Sequence, residues 1–528
     1  MLFAFPIKNS LVLRFSVIAC LTAILAACLV ESSGKNRSVE LATREAAPCE
    51  KDQSANAVGM PDTDRIFSWI EDLVDIGYRR TGTAAGYASA AYVKCEFEKL
   101  GLQNVQYEFA TSWKWEATRS ELRVGKEKID SFPSAYSFVT PDEPSVFSTG
   151  KNGISVELVN IGRGSVIDFA KTDVKGKIVV FDLKFILPPA GLVPFMEFFW
   201  DPGLTLVEPS LLAGNPYITN FSSVLEEAMK AGAVGFVGVL ADYFDSNKYY
   251  NEYLRRTQIT IPGVWVTRNE GARLRSMISN GNNIANLKFD GSRTPVEARS
   301  VVGFLHGKSK DTIMVQSHHD SAFDGAVEDG SGVAAVFALA QFYASQDEAS
   351  RDKTLMFSTF DTHFSGYQSH MEFVRKYIKD KETPYNIVAN VTLEHIAKQG
   401  VISSDGQLVM NDQPELRAIM NNMGVPIKLS MINAIVKHDL RRTALLSAHA
   451  LCSLGGVPTD ASFVCAAGVP TASLIAGPVY LYDEADTLDK VAKDELVPVT
   501  KAFIDIINAL DKTPSQLIGI PLPSLNAI

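Results

Sequence analysis

From Asp62 onward the apolar positions alternate between a helical and a strand period. Ile66, Trp69, Ile70, Leu73 and Val74 recur at helical spacing, and 84–100 predicts a second amphipathic helix closed by Gly101. A strand follows over 105–109. Between 150 and 295 the character changes to short apolar runs, 178–181, 234–237 and 261–266, separated by Gly, Pro and Asp, with helices over 226–231 and 270–278. After Ser300, strands at 312–316, 354–360 and 386–394 alternate with helices at 332–345 and 366–378, and a closing helix spans 497–510. That alternation predicts an α/β fold, a mixed, mostly parallel sheet flanked by helices.

Composition agrees with a folded, multidomain chain: 528 residues of which 46% are hydrophobic. A formal net charge of -10 without long basic runs argues against nucleic acid as a partner, since neutralising phosphates needs clustered Lys and Arg. The first residues form a separate object. Lys8 and Arg14 precede an apolar run over 15–27 that ends in Leu25-Ala26-Ala27-Cys28, and the segment resembles a bacterial lipoprotein signal. The resemblance implies a signal peptide over 1–27, lipidation of Cys28, and anchoring to the membrane of the bacterial cell envelope, facing periplasm or exterior. Residues 28–61 are polar and suit a flexible spacer; 513–528 reads as a peripheral tail. Cys49, Cys95, Cys452 and Cys465 remain, without the paired spacing of a cysteine metal site, and an exported location permits disulfides among them.

The densest chemistry lies in Ser317 to Gly332, SHHDSAFDGAVEDGSG, where two histidines and four carboxylates follow an apolar strand. His318 and Asp320, two residues apart in extended chain, share one face, so one can bind a metal while the other orients it. Gly325, Gly330 and Gly332 allow the tight turns of a loop at the end of a strand, where catalytic loops of open α/β sheets sit.

Taken together, His318-x-Asp320-Ser321, Gly325-Ala326-x-x-Asp329-Gly330-Ser331-Gly332, Asp486-Thr487-Leu488-Asp489 and Tyr78-Arg79-Arg80-Thr81-Gly82-Thr83 resemble the di-zinc aminopeptidase and glutamate carboxypeptidase family, peptidase family M28. Val174-Lys175-Gly176-Lys177-Ile178-Val179 and Lys230-Ala231-Gly232-Ala233-Val234-Gly235 resemble a protease-associated domain. The likeness implies a zinc-exopeptidase sheet over 62–149 and 296–512, with an inserted β-rich protease-associated domain over 150–295. It maps metal ligands onto His318, Glu328 and Glu394, with His363 at a further ligand position. Asp320 becomes the carboxylate behind His318.

The family pattern is broken at two places. Thr362 stands where the general base belongs, and a hydroxyl does not titrate near neutrality. Ala461 stands at the last histidine ligand, for which His395, His438 or His449 is a conceivable replacement. Asp324, Asp329 and Asp361 read better as loop carboxylates than as substitute bases, and His319 and His370 as packing or surface residues. The resemblance therefore implies an exported zinc hydrolase of the aminopeptidase type acting on peptide or related amide bonds, with one zinc and an incomplete second position. The alternative is a catalytically silent relative that binds peptides or a partner protein.

Overall fold

The computed structural model describes residues 59–206 and 214–519. The signal segment, Cys28, most of the spacer and the tail beyond Gly519 lie outside the described residues. Sixteen strands join into one hydrogen-bonded sheet. At its centre Thr354–Phe360, Asp311–His318, Asn386–Leu393 and Thr471–Ala476 lie side by side and parallel, with His318 level with Phe360. Ile284–Leu305 flanks them antiparallel on one side and Arg417–Asn421 on the other. Their carboxyl ends open on the same edge, which brings the loops after His318, Phe360, Leu393 and Ala476 together.

These central strands are buried almost throughout, the reason they read as near-continuous apolar runs rather than as alternating ones. The cover on one face is led by Gly332–Ala344, a helix apolar on every side. It packs against Thr63–Asp75, Ala84–Lys99 and Leu496–Lys512. Phe337 receives Trp69, Tyr92 and Phe97 edge-on. The first two helices begin where the sequence supplies caps: Asp62 accepts from the Arg65 amide and Thr83 from the Gly86 amide. Gly332 must lack a side chain. A Cβ there would come within 2.4 Å of the Leu393 carbonyl and 2.3 Å of the Asp329 carboxylate, so helix, loop and neighbouring strand close up only around glycine.

The segment expected as a strand over 105–109 is part of a much longer one. Gln103–Val124 pairs antiparallel with Ile284–Leu305 along almost its whole length, from Gln103 opposite Phe304 to Val124 opposite Ala285. This ribbon runs unbroken through position 295, the expected boundary of the insertion. Within the segment expected as an insertion, Ile154–Asn160, Ile178–Leu183, Gly235–Leu240 and Gly263–Val266 form a parallel row, with Phe221–Lys230 and Arg268–Ser279 as helices. A further strand of the same segment, Met196–Trp200, pairs with Thr443–Ser447 at the far edge of the sheet. The start of the tail packs against the body: Ile518 is buried and its carbonyl accepts from the Gly424 amide at 2.7 Å.

Cys452 and Cys465 form a disulfide across a sequence separation of 13. It closes the loop that carries Thr459, Asp460 and Ala461. Cross-linking a loop of this length removes chain entropy from the unfolded state worth about 3 kcal/mol. The Cys452→Ser, Cys465→Ser double variant should therefore lose about 3 kcal/mol in urea unfolding, and a loss below about 0.5 kcal/mol would show that the link adds nothing.

Candidate metal centre

Three strand-end loops send four ionisable side chains to one buried cluster. His318 ends its strand, Glu328 lies in the following loop, His363 follows Phe360, and His395 follows Leu393. Glu328 is the hub. Its Oε1 lies 3.3 Å from Nε2 of both His318 and His363, and its Oε2 lies 2.5 Å from Nε2 of His395. The rings of His318 and His363 stack at 4.0 Å between centroids. Two sets of ligand atoms converge to within 4.8 Å of one another, His318 with Glu328 and His395, and His318 with His363 and Asp460.

The surroundings fix each donor. Nδ1 of His318 lies 3.0 Å from the backbone carbonyl of Asp320 and 3.4 Å from its carboxylate, so Nδ1 holds the proton and Nε2 turns to Glu328. The carboxylate of Asp320 mainly accepts the amides of His363 and Phe364, which ties the loop after Phe360 to the loop after His318. His363 is oriented in the same way, its Nδ1 2.8 Å from Asp460 Oδ1, while Asp460 Oδ2 takes Nε2 of His370 at 3.1 Å. The amides of Val327 and Glu328 both donate to Asp486 at 2.9 Å. Arg79, fully buried, donates to the carbonyls of Leu73, His319, Asp324 and Gly325 and clamps the loop from beneath.

The electrostatics follow from burial and from the neighbouring charges. Burial opposes the charge on Glu328, but His395, His318 and His363 outweigh it and hold the carboxyl well below the usual carboxylate range. Burial likewise opposes protonation of His395, and Glu328 overcomes it, raising this imidazole to about 10. For His363, burial and His318 push down while Asp460 and Glu328 push up, with a net rise to about 9. Asp460 is disfavoured as an anion by burial, yet His363, His370 and His318 hold its carboxyl well below the ordinary value. His319 differs. Burial brings it down to about 4, and with Nδ1 against Thr359 Oγ1 it is a neutral core residue.

Several expected site residues take other places. Glu394, mapped as a ligand, belongs to neither convergent set; its Oε1 accepts the Asp460 amide at 2.9 Å. Burial and the nearby Asp460 raise its carboxyl well above the usual range, which favours the neutral acid. Its neighbour His395 enters instead. Strand alternation puts 394 and 395 on opposite faces, but His395 has φ +60°, and this left-handed residue swings the imidazole round to Glu328. Thr362, at the general-base position, has φ +80° and its Oγ1 accepts the Ser369 amide, so it caps the next turn. Asp361 is bonded by Thr81, the Arg299 amide and the Thr362 amide, and burial lifts it to about 7. Asp329 similarly braces the loop, accepting from the Gly332 and His395 amides and from Ser317. Ala461 is buried in an apolar cluster with Met420, Leu446 and Cys465. His370 is buried against Phe360 rather than on the surface. Asp460, which no pattern singled out, is the residue of that segment that meets the site.

The donor set fits zinc. Two imidazole Nε2 atoms, of His318 and His395, and both oxygens of Glu328 are buried without a hydrogen bond although they face one another. Imidazole nitrogen and carboxylate oxygen are the usual zinc donors, and at bond lengths of about 2.0–2.2 Å a tetrahedral ion spaces its ligands about 3.3 Å apart. The separations of Glu328 Oε1 from His318 and His363 match that edge.

Residues 300–507 match the family model described as Peptidase family M28. No curated protein matches the chain. Among solved structures, a Peptidase M28 precursor from Shewanella amazonensis SB2B aligns with TM-score 0.62 and 15% identity over 96% of this chain and 99% of its own. BSAP, a zinc aminopeptidase from Bacillus subtilis, aligns with TM-score 0.59 and 18% identity over 87% of this chain and 98% of its own. An aminopeptidase from Aneurinibacillus sp. strain AM-1 aligns with TM-score 0.57 and 18% identity over 88% and 97%. At these identities the likeness is one of fold.

Proposed function

From membership of its residues 300–507 in peptidase family M28, we propose that the chain is a single-zinc, metal-dependent hydrolase of the aminopeptidase type, acting on peptide or related amide and ester bonds. The observation that carries this reading is the buried convergence of His318 Nε2, His395 Nε2 and both Glu328 oxygens on one another. His318, Glu328 and His395 would hold the ion and leave a position open, with His363 against the other side of Glu328. When bound, zinc supplies Lewis-acid polarisation of the scissile carbonyl and lowers the pKa of water.

The protein's own residues decide which bonds are within reach. Asp320 and Asp460 keep the imidazoles of His318 and His363 in the tautomer that aims Nε2 inward. Thr362 cannot take a proton near neutrality, and its hydroxyl is occupied by the Ser369 amide. Breaking an amide demands proton delivery to a poor leaving group, whereas an alkoxide or phenolate leaves with less help. Activated esters are therefore the better substrates of this site.

The lipobox-like Leu25-Ala26-Ala27-Cys28 supports an envelope location with Cys28 as lipid anchor. Among the described residues no helix is long and apolar enough to cross a membrane, which is compatible with tethering through a lipid. A second reading, a silent peptide or protein binder, is favoured by Thr362 alone.

The test is metal analysis of the purified chain, followed by hydrolysis of aminoacyl ester and amide panels by the parent and by His318→Ala. About one zinc per chain is expected, with ester turnover at least 100-fold above amide turnover and both lost in the variant. Zinc well below stoichiometry ends the metallohydrolase reading, and equal rates in parent and variant assign the activity elsewhere.

A further inference from the structure

The insertion sends one carboxylate to the metal cradle. The connection between Gly235–Leu240 and Gly263–Val266 passes over the carboxyl edge of the central strands and carries Glu252. Its Oε1 lies 3.8 Å from His363 Nε2, the same nitrogen that is 3.3 Å from Glu328 Oε1. That imidazole nitrogen thus sits between two carboxylates, one from each part of the chain. Its opposite nitrogen is committed to Asp460.

Glu252 is held in place from both sides. Tyr367 donates to Oε2 at 2.9 Å and Tyr482 to Oε1 at 2.5 Å. The backbone beside it is pinned to the metal-site loops: the Tyr250 amide donates to the Tyr482 carbonyl and the Tyr253 amide to the Phe364 carbonyl, each at 2.9 Å. Asn251, next to it, is buried and bonded through its side chain to Ser134, Ala135 and Trp265. The side chain of Glu252 keeps 22% of its surface accessible, so it faces the mouth of the site rather than the core. A carboxylate fixed by two phenols, beside a ligand imidazole, has the arrangement of a metal-binding carboxylate whose own orientation is set by hydrogen bonds.

We propose that Glu252 is a zinc ligand contributed by the insertion, taking the place left by Ala461 on the His363 side of the cradle. The proposal rests on the zinc reading of that cradle and deepens it. A separation of 3.8 Å is within the span of two donors on one zinc, for which bonds of about 2.1 Å allow up to about 4 Å. Metal binding then couples the insertion to the central sheet.

The full chain is stripped with chelator, and zinc affinity is measured by competition with a chromophoric chelator for the parent, Glu252→Gln and Tyr482→Phe. The amide of Glu252→Gln still accepts a phenol hydrogen bond, so a purely structural Glu252 leaves affinity unchanged. The proposal expects a loss of at least about tenfold in Glu252→Gln, a loss in the same direction in Tyr482→Phe, which removes one of the two phenols that orient the carboxylate, and an altered visible absorption band when cobalt replaces zinc in Glu252→Gln. Thermal unfolding of the metal-free forms guards against misfolding: the parent and Glu252→Gln should melt together without metal and separate only when zinc is added. Affinity within twofold of the parent and an unchanged cobalt spectrum overturn the assignment while leaving the hydrolase reading intact. A parent that binds no zinc overturns both.

Discussion

Glu328→Gln is expected to abolish stoichiometric zinc binding and all hydrolysis. Both oxygens of this side chain face imidazole nitrogens, at 3.3 Å from His318 and His363 and 2.5 Å from His395, so its loss removes three contacts among the donors at once. Zinc sites in small domains bind with roughly 10–16 kcal/mol shared among about four ligands, or about 3 kcal/mol each, and losing one lowers affinity by about 100-fold or more. The metal-free protein should also suffer. Glu328 is the anion that balances His395 and His363, and removing one member of a buried charge pair costs about 3–5 kcal/mol unless the imidazoles shed their protons. Glu328→Asp separates charge from reach. It keeps the anion one methylene short, and it should preserve the stability of the metal-free protein to within about 1 kcal/mol while binding zinc more weakly than the parent. Zinc titration and urea unfolding of the two variants check this. Parent-like zinc affinity in Glu328→Gln would remove Glu328 from the centre.

Zinc uptake is expected to depend steeply on pH. In the metal-free protein His363 is raised to about 9 and His395 to about 10, each by adjoining carboxylates that overcome burial, so both hold a proton at neutrality. Zinc binds only the neutral imidazole, and each bound ion must displace these protons. Burial opposes a charge on His318 too, but Asp460, Asp320 and Glu328 raise it well above its ordinary value, so at least two protons are released per zinc and the apparent affinity rises about 100-fold or more per pH unit between pH 7 and 8. Calorimetric titration in two buffers of different protonation heat counts the protons directly. Release of fewer than about half a proton per zinc would show that the imidazoles are already neutral and that the charge balance around Glu328 is otherwise.

The same protons predict the stability of the metal-free fold. An imidazole raised in the folded state above its unfolded value near 6.5 contributes stability that is fully present below about pH 6.5. That contribution is lost as pH rises through about 9 to 10. Metal-free protein should therefore melt at progressively lower temperature from neutral to alkaline pH.

Much of the architecture was legible in the chain because it rests on local pattern. The apolar runs at 312–316 and 354–360 and the all-apolar helix at 332–345 appear as the central strands and the buried helix, since elements covered on both faces need no alternation to be recognised. The strands Arg417–Asn421 and Thr443–Ser447 were not anticipated, nor was the full extent of Gln103–Val124. Their residues mix polar and apolar positions, and only pairing with a distant strand decides that they are extended.

At the centre, the sequence by itself singled out the side chains that the first strand-end loop brings to the buried cluster. His318, Asp320 and Glu328 fall within one short motif whose glycines dictate its turns, and the chain brings them together with little help from elsewhere. Tertiary structure alone decided the rest. A left-handed backbone at His395 exchanges it for Glu394, and the loop closed by Cys452 and Cys465 presents Asp460 to His363 while burying Ala461. Glu252 arrives from more than a hundred residues before His363 in sequence. Motif spacing records which residues are neighbours along the chain; which of them share a buried point is set by backbone reversals and long-range packing, which spacing does not encode.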